Sequence, residues 1–225
     1  SGRKRLTVGI VFDSGGRGDK SFNDSAWVGI ERAKKEFSIE SKPIESKSEK
    51  DYEGNLAALG DQNCNLVFAV GINMQKAVEK VAPSYPNVKF AIIDAEVKAP
   101  NVRSIKFKEE EGSFLVGYLA GLMTKTNKIG FVGGMELDLI KRFQYGYWAG
   151  AKLANPKIVL LPAKYTGAWD NNDLAKAASS VLYNSGADVI YHAAGRAGQG
   201  VIEAAKERNL FAIGVDSDQD YIAKG

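Results

Sequence analysis

Apolar residues in this chain fall into short solid runs, separated by stretches in which they recur at helical spacing. Leu6–Phe12 holds Val8, Ile10, Val11 and Phe12 in a run edged by glycines, the pattern of a strand covered on both faces. From Ser21 to Phe37, the residues Ala26, Trp27, Ile30, Ala33 and Phe37 share one helical face. Ser21 is the expected N-cap, and Asp24 three residues on completes an approximate capping box. Leu66–Val70 and Phe90–Ile93 are predicted strands, with a helix from Met74 to about Val81 between them. Further on come a helix over Gly112–Met123, a polar segment Thr124-Lys125-Thr126-Asn127-Lys128, and a strand over Ile129–Val132. Strand and helix in alternation predict parallel βαβ units.

The pattern repeats. LVFAVGINMQKAVEKVAPSYPNVKFAIIDAE, from Leu66, has the same grammar as VIYHAAGRAGQGVIEAAKERNLFAIGVDSD, from Val189. Each is a strand, a glycine loop, a helix, a short loop and a strand, followed by an aspartate: Asp94 in the first copy and Asp216 in the second. Helical stretches precede both, Tyr52–Leu59 and Asp173–Tyr183. The period is too long for a solenoid and predicts a duplicated lobe. Two doubly wound α/β lobes are therefore expected, 1–125 and 126–225, with the changeover in the polar segment after the helix ending at Met123. Open parallel sheets bind ligands beyond the carboxyl ends of their strands, and clefts between domains are favoured pockets.

Composition narrows the chemistry. A net charge of +3, with Lys and Arg interspersed among Asp and Glu, gives no nucleic-acid footprint. No apolar run is long enough for a membrane span. One cysteine (Cys64) and one histidine (His192) exclude a disulfide framework and any ordinary Cys/His zinc site, and no metal or cofactor is expected.

The loop from Asp13 to Asp24, DSGGRGDKSFND, links the first strand to the first helix. Its glycines admit a ligand close to the backbone, and the helix N-terminus offers N–H donors. Asp19 between Gly18 and Lys20 breaks the phosphate-loop order, and the aspartates would repel a phosphate, so a neutral hydrogen-bonding ligand is expected. Phe22 is placed to stack on a planar base, and Asn23 to pair with a base edge through donor and acceptor together. Trp27 is most simply core. Gly195 opens the second copy's glycine loop, GRAGQG, whose spacing is not that of a dinucleotide site. Tyr191 and His192 come just before it. His192 reads as a satisfied polar residue more readily than as a catalyst, there being no Ser–His–Asp set. Trp169 either lines the cleft or covers the sheet. Asp94 and Asp216 should point into the crevice and accept hydrogen bonds from a ligand's hydroxyl or amine groups. Paired carboxylates also admit a glycosidase, ranked second because nothing marks one as acid and the other as nucleophile.

VGIVFDSGGRGDKSFNDSAWVGIERAKKEF, FAIIDAE, KIGFVGGMELDLIKRFQYGYWAGAK, VIYHAAGRAGQGVIEAAKE and AIGVDSDQDY together resemble the basic membrane protein family, substrate-binding lipoproteins of ABC transporters that include purine nucleoside receptors. The resemblance runs from about Leu6 to the C-terminus, with DKSFN and GVDSDQ as its specific signatures. It implies a type I periplasmic-binding-protein fold, two doubly wound parallel-sheet lobes with a ligand cleft between them. It implies a purine nucleoside captured by hinge closure, an ABC permease as partner, and no catalysis. Carried over, Asp13, Phe22 and Asn23 fall in the first binding loop and Asp94 at the first lobe's contact strand. Asp216 matches the ribose-binding aspartate, and Tyr191 stands where the family often has Phe. The family's lipidated cysteine is absent, as expected if a lipoprotein signal has been removed. The implied location is extracytoplasmic, in the periplasm or as a membrane lipoprotein. Family members continue past GVDSDQ, so the second lobe is expected to lack the final crossovers. The rival readings are a sugar-binding protein of the same fold and a nucleoside hydrolase or glycosidase.

Overall fold

The first apolar run forms β1 (Thr7–Phe12), with Val8, Ile10 and Phe12 packed on one face and Val11 on the other. A computed structural model describes residues 5–223 and divides between Phe107 and Lys108 into two compact units. In the first unit β1 is followed by α1 (Phe22–Phe37), β2 (Glu40–Glu45), α2 (Tyr52–Asp61), β3 (Leu66–Val70), α3 (Gln75–Val81), β4 (Lys89–Ile93) and β5 (Val102–Ile105). The sheet is parallel throughout, in the order β2-β1-β3-β4-β5. Met74, Val78 and Val81 join Leu56 and Leu59 in the larger core cluster; Ile30 of α1 packs in the other with Val8, Ile10 and Phe12.

The second unit runs α4 (Glu109–Met123), β6 (Lys128–Gly133), α5 (Asp138–Ala154), β7 (Val159–Leu160), β8 (Lys164–Tyr165), α6 (Asn172–Asn184), β9 (Val189–Ala193), α7 (Gly198–Arg208) and β10 (Phe211–Ile213). Its strands are also parallel, in the order β10-β9-β6-β7, with β8 joining β6 further along. The duplicated grammar is visible in the backbone. β3 and β9 each lead through a glycine with positive φ, Gly71 and Gly195, into a short 3-10 turn and a helix, then into β4 and β10.

The two compact units divide ahead of α4. The polar segment after α4 is a tight connection pinned by the buried Asp188 carboxylate, which accepts from Thr124 Oγ1 (2.6 Å), Lys125 N (2.6 Å) and Thr126 N (3.1 Å). α4 itself packs closely on α5: a Cβ on Gly117 would lie 2.0 Å from the Tyr147 carbonyl oxygen, and one on Gly150 1.9 Å from that of Phe114. At the start of α1, Ser21 holds the N-cap position without a side-chain cap bond. The buried Asp19 carboxylate supplies the cap, accepting from the backbone N–H of Asn23 (2.8 Å) and Asp24 (3.1 Å).

Candidate functional site

In each sheet one place exists where chain crossovers leave in opposite directions, and a crevice opens there at the carboxyl ends of the strands. In the first unit it lies between β1 and β3. Asp13 directly follows β1, and Gly71 directly follows β3. Phe22 and Asn23 open α1, which springs from the loop after β1. The structure brings these residues together. Asn23 Nδ2 donates to Asp13 Oδ1 (2.8 Å) and Asp19 Oδ2 (3.1 Å). Gly15 N donates to Asp13 Oδ1 (2.9 Å). A Cβ built on Gly71 would lie 3.3 Å from Asp13 Oδ2 and 3.6 Å from the Phe22 ring. Phe22 is half-buried against the cluster that holds Phe12 and Ile30. Burial pushes the Asp13 carboxyl above the usual carboxylate range, against the opposing effect of its bonds from Asn23 and Gly15. Asn23 is only 2% exposed, and its Oδ1 has no hydrogen-bond partner among the described residues. A carboxylate, an amide with a spare acceptor and an aromatic ring thus meet at one strand-end crevice.

Asp94 directly follows β4, half-buried, with φ of 67°, and its N–H donates to the Ile105 carbonyl of β5 (2.8 Å). Trp27 lies in the packing of α1 against the sheet, edge-on to Phe12 at 6.2 Å, with the Arg17 guanidinium over its ring at 4.6 Å. Arg17 is in turn paired with Glu45, so it fastens the outer half of the loop to the end of β2.

In the second unit the equivalent crevice lies between β6 and β9. Trp169 covers it. Its half-exposed ring takes the space beside Gly134, where a Cβ would come within 2.4 Å, and its carbonyl accepts from Ala197 N (2.9 Å) in the turn begun by Gly195. Asp216 is exposed, with φ of 66°, three residues past the end of β10 at Ile213. The strand is two residues shorter than the apolar pattern suggested.

Tyr191 and His192 leave β9 on opposite faces. Tyr191 is 5% exposed, with its hydroxyl 3.2 Å from Ser113 Oγ and its ring packed against Phe131 and Tyr147. Burial, with a smaller push from the Asp216 carboxylate, raises its hydroxyl to about 12. Packed on these sides, Tyr191 is a lining group, and Trp169 is the half-exposed aromatic of this crevice. His192 is 0% exposed, and burial lowers it to about 4. Its Nε2 meets Gln219 Oε1 at 3.1 Å, so it is held inside the fold, as the plainer reading of a single histidine has it. Among the described residues no group of three or more His, Cys, Asp or Glu side chains is placed to hold a metal.

Sequence reasoning took Gly71 only as part of a glycine loop, and passed over Gly134, Ser113 and Gln219 as site residues. The two glycines carried a signal, since each ends or directly follows a strand at a crevice. Ser113 and Gln219 carried none, because their partners are 78 and 27 residues away in sequence.

A Listeria monocytogenes protein named "CD4+ T-cell-stimulating antigen" is 40% identical over 229 residues, covering 96% of this chain and 64% of its own length. The Lactococcus lactis "ABC transporter nucleoside-binding protein BmpA" is 38% identical over 232 residues, covering 97% of this chain and 66% of its own. The crystal structure of an ABC transporter system solute-binding protein from Aeropyrum pernix K1 superposes with a TM-score of 0.87 at 33% identity, over 96% of this chain and 64% of that one. The chain thus spans about two thirds of the length of these relatives. Its residues 6–225 match the family described as "ABC transporter substrate-binding protein PnrA-like", a family of binding proteins, and the chain belongs to that family.

Proposed function

We propose that this protein is the substrate receptor of an ABC importer and that its substrate is a purine nucleoside. The observation that carries the reading is the first unit's crevice, where Asp13, Asn23 and the Phe22 ring converge beside Gly71. An aromatic ring offers a flat face to a base, and a carboxylate beside an amide offers acceptors to its edge. Asp94 is a further proposed ligand contact of the first unit, and Gly195, Trp169 and Asp216 are the proposed ligand contacts of the second, with Asp216 accepting from ribose hydroxyls. Tyr191 supports that set from below, and Trp27 and His192 act through packing. The name of the Lactococcus relative supports a nucleoside in particular. The permease partner and an extracytoplasmic location follow from the family's role; no described helix is long and apolar enough to cross a membrane. Mass spectrometry of small molecules released on denaturing freshly purified protein tests the ligand class. A purine nucleoside supports the reading, and a free hexose or pentose in its place overturns it in favour of a sugar receptor.

A further inference from the structure

We infer that Gln219, itself anchored by His192, is the positioning residue that holds Asp216 in its ligand-facing conformation. The inference rests on the reading above that Asp216 meets the ribose. Ser217 N donates to the Val215 carbonyl (2.8 Å) across Asp216, whose φ is 66°. A bond from residue i+2 back to i around a positive φ marks the classic γ-turn, the rare and strained form. A non-glycine residue persists in such a place only where its surroundings over-determine it. At Asp94, the counterpart in the first unit, the main chain of β5 does this through the bond to Ile105.

At Asp216 a side chain does it. Gln219 is 4% exposed, and its Oε1 accepts from Val215 N (3.0 Å), the residue directly before Asp216. The same oxygen meets His192 Nε2 at 3.1 Å. An amide nitrogen in that place could not accept from Val215 N–H, so the oxygen is correctly placed. An oxygen only accepts, so His192 Nε2 carries the proton. Its Nδ1 is enclosed with no hydrogen-bond partner among the described residues, which leaves the ring one polar tie, the one to Gln219. Two glycines make room: a Cβ on Gly214 would lie 2.7 Å from Gln219 Oε1, and one on Gly198 2.1 Å from the His192 ring. The chain of contacts runs from the centre of the sheet through His192 and Gln219 to Val215, and from there to Asp216. It gives the single histidine a purpose that neither catalysis nor ligand contact supplies.

The test is calorimetric titration of wild type, Gln219→Ala, Gln219→Glu, Asp216→Asn and the Gln219→Ala/Asp216→Asn double variant with inosine and with 2′,3′-dideoxyinosine. Gln219→Ala is expected to weaken inosine by about tenfold or more, the scale of a lost charge-assisted bond, and to leave the dideoxy ligand nearly unchanged. The double variant should be no worse than Asp216→Asn alone, since both act on one contact. Gln219→Glu keeps both acceptor bonds and should restore inosine binding, which also covers the case in which the alanine variant folds poorly. If Asp216→Asn weakens inosine selectively while Gln219→Ala behaves as wild type, the positioning role is overturned. Equal losses for both ligands in Gln219→Ala, unrestored by Gln219→Glu, overturn it in favour of simple packing. If Asp216→Asn itself spares both ligands, the ribose reading fails, and the inference fails with it.

Discussion

Replacing Gly71 with alanine tests both the backbone and the site at one position. Gly71 has φ of 111° and ψ of 153°, a region open essentially to glycine alone. Holding alanine there costs about 1–3 kcal/mol. The new methyl group would sit 3.6 Å from the Phe22 ring, an ordinary contact, but 3.3 Å from Asp13 Oδ2, which must yield. Asp13 has little freedom to do so, because its other oxygen is tied to Gly15 N and Asn23 Nδ2. Stability should therefore fall by about 2 kcal/mol, within the cost of the forbidden backbone alone. Inosine affinity should fall by about tenfold or more as the Asp13 carboxylate turns away from its ligand-facing position. Urea unfolding reads the first quantity and calorimetry the second. Unchanged stability would refute the conformational argument. Lost stability with wild-type affinity would refute the assignment of Asp13 and Phe22 to the binding surface.

Phe22→Ala should weaken nucleoside binding by about 1–3 kcal/mol in calorimetry, with Phe22→Leu recovering part of it; unchanged affinity would make Phe22 a packing residue only. Gly150→Ala places a methyl group 1.9 Å from the Phe114 carbonyl oxygen, so thermal unfolding should show a loss of about 3 kcal/mol despite alanine's better helix propensity. Gly29→Ala, with nothing within 4 Å, should instead gain about 0.4–1 kcal/mol, and equal effects at the two positions would contradict the close packing of α4 on α5. His192 is neutral in the folded state down to about 4 and is protonated in the unfolded chain below about 6.5. The unfolded state therefore binds the extra proton between those values, and stability present above 6.5 is lost as pH falls toward 4, by about 3 kcal/mol in all. Urea unfolding at pH 7 and pH 4.5 should show this loss in wild type and a smaller one in His192→Asn; identical pH dependence in the two would contradict it. The comparison with the variant matters because Asp13, raised by burial, works in the opposite sense: its contribution is present at low pH and is lost as pH rises through its folded value.

The α/β alternation was legible because β1, β3, β4, β6 and β9 are covered on both faces and read as unbroken apolar runs. The duplicated unit was legible for the same reason, helped by its glycines and terminal aspartates. Edge strands were not. β2 is the half-exposed segment ESKPIE, and β7 and β8 are two residues each, too short to carry a period. The role of the polar pentapeptide after α4 was not legible, because such a segment looks like a linker from sequence and its tie to Asp188 spans more than 60 residues. The first crevice was readable from local clues, since Asp13, Phe22 and Asn23 share one loop. The second was only partly so. Whether Tyr191 or Trp169 presents a ring depends on which side of β9 each falls and on Phe131, Tyr147 and Ser113, which come from other elements.

The central claim, that this chain is a nucleoside receptor, is tested most directly by calorimetric titration with inosine, hypoxanthine and ribose, followed by chromatography of the recovered ligand. The account predicts saturable binding of inosine at one site per chain, about tenfold or more tighter than either fragment, because base and ribose are each held by their own groups. It also predicts that inosine is recovered intact. Binding of ribose in preference to inosine, or conversion of inosine to hypoxanthine, would contradict it.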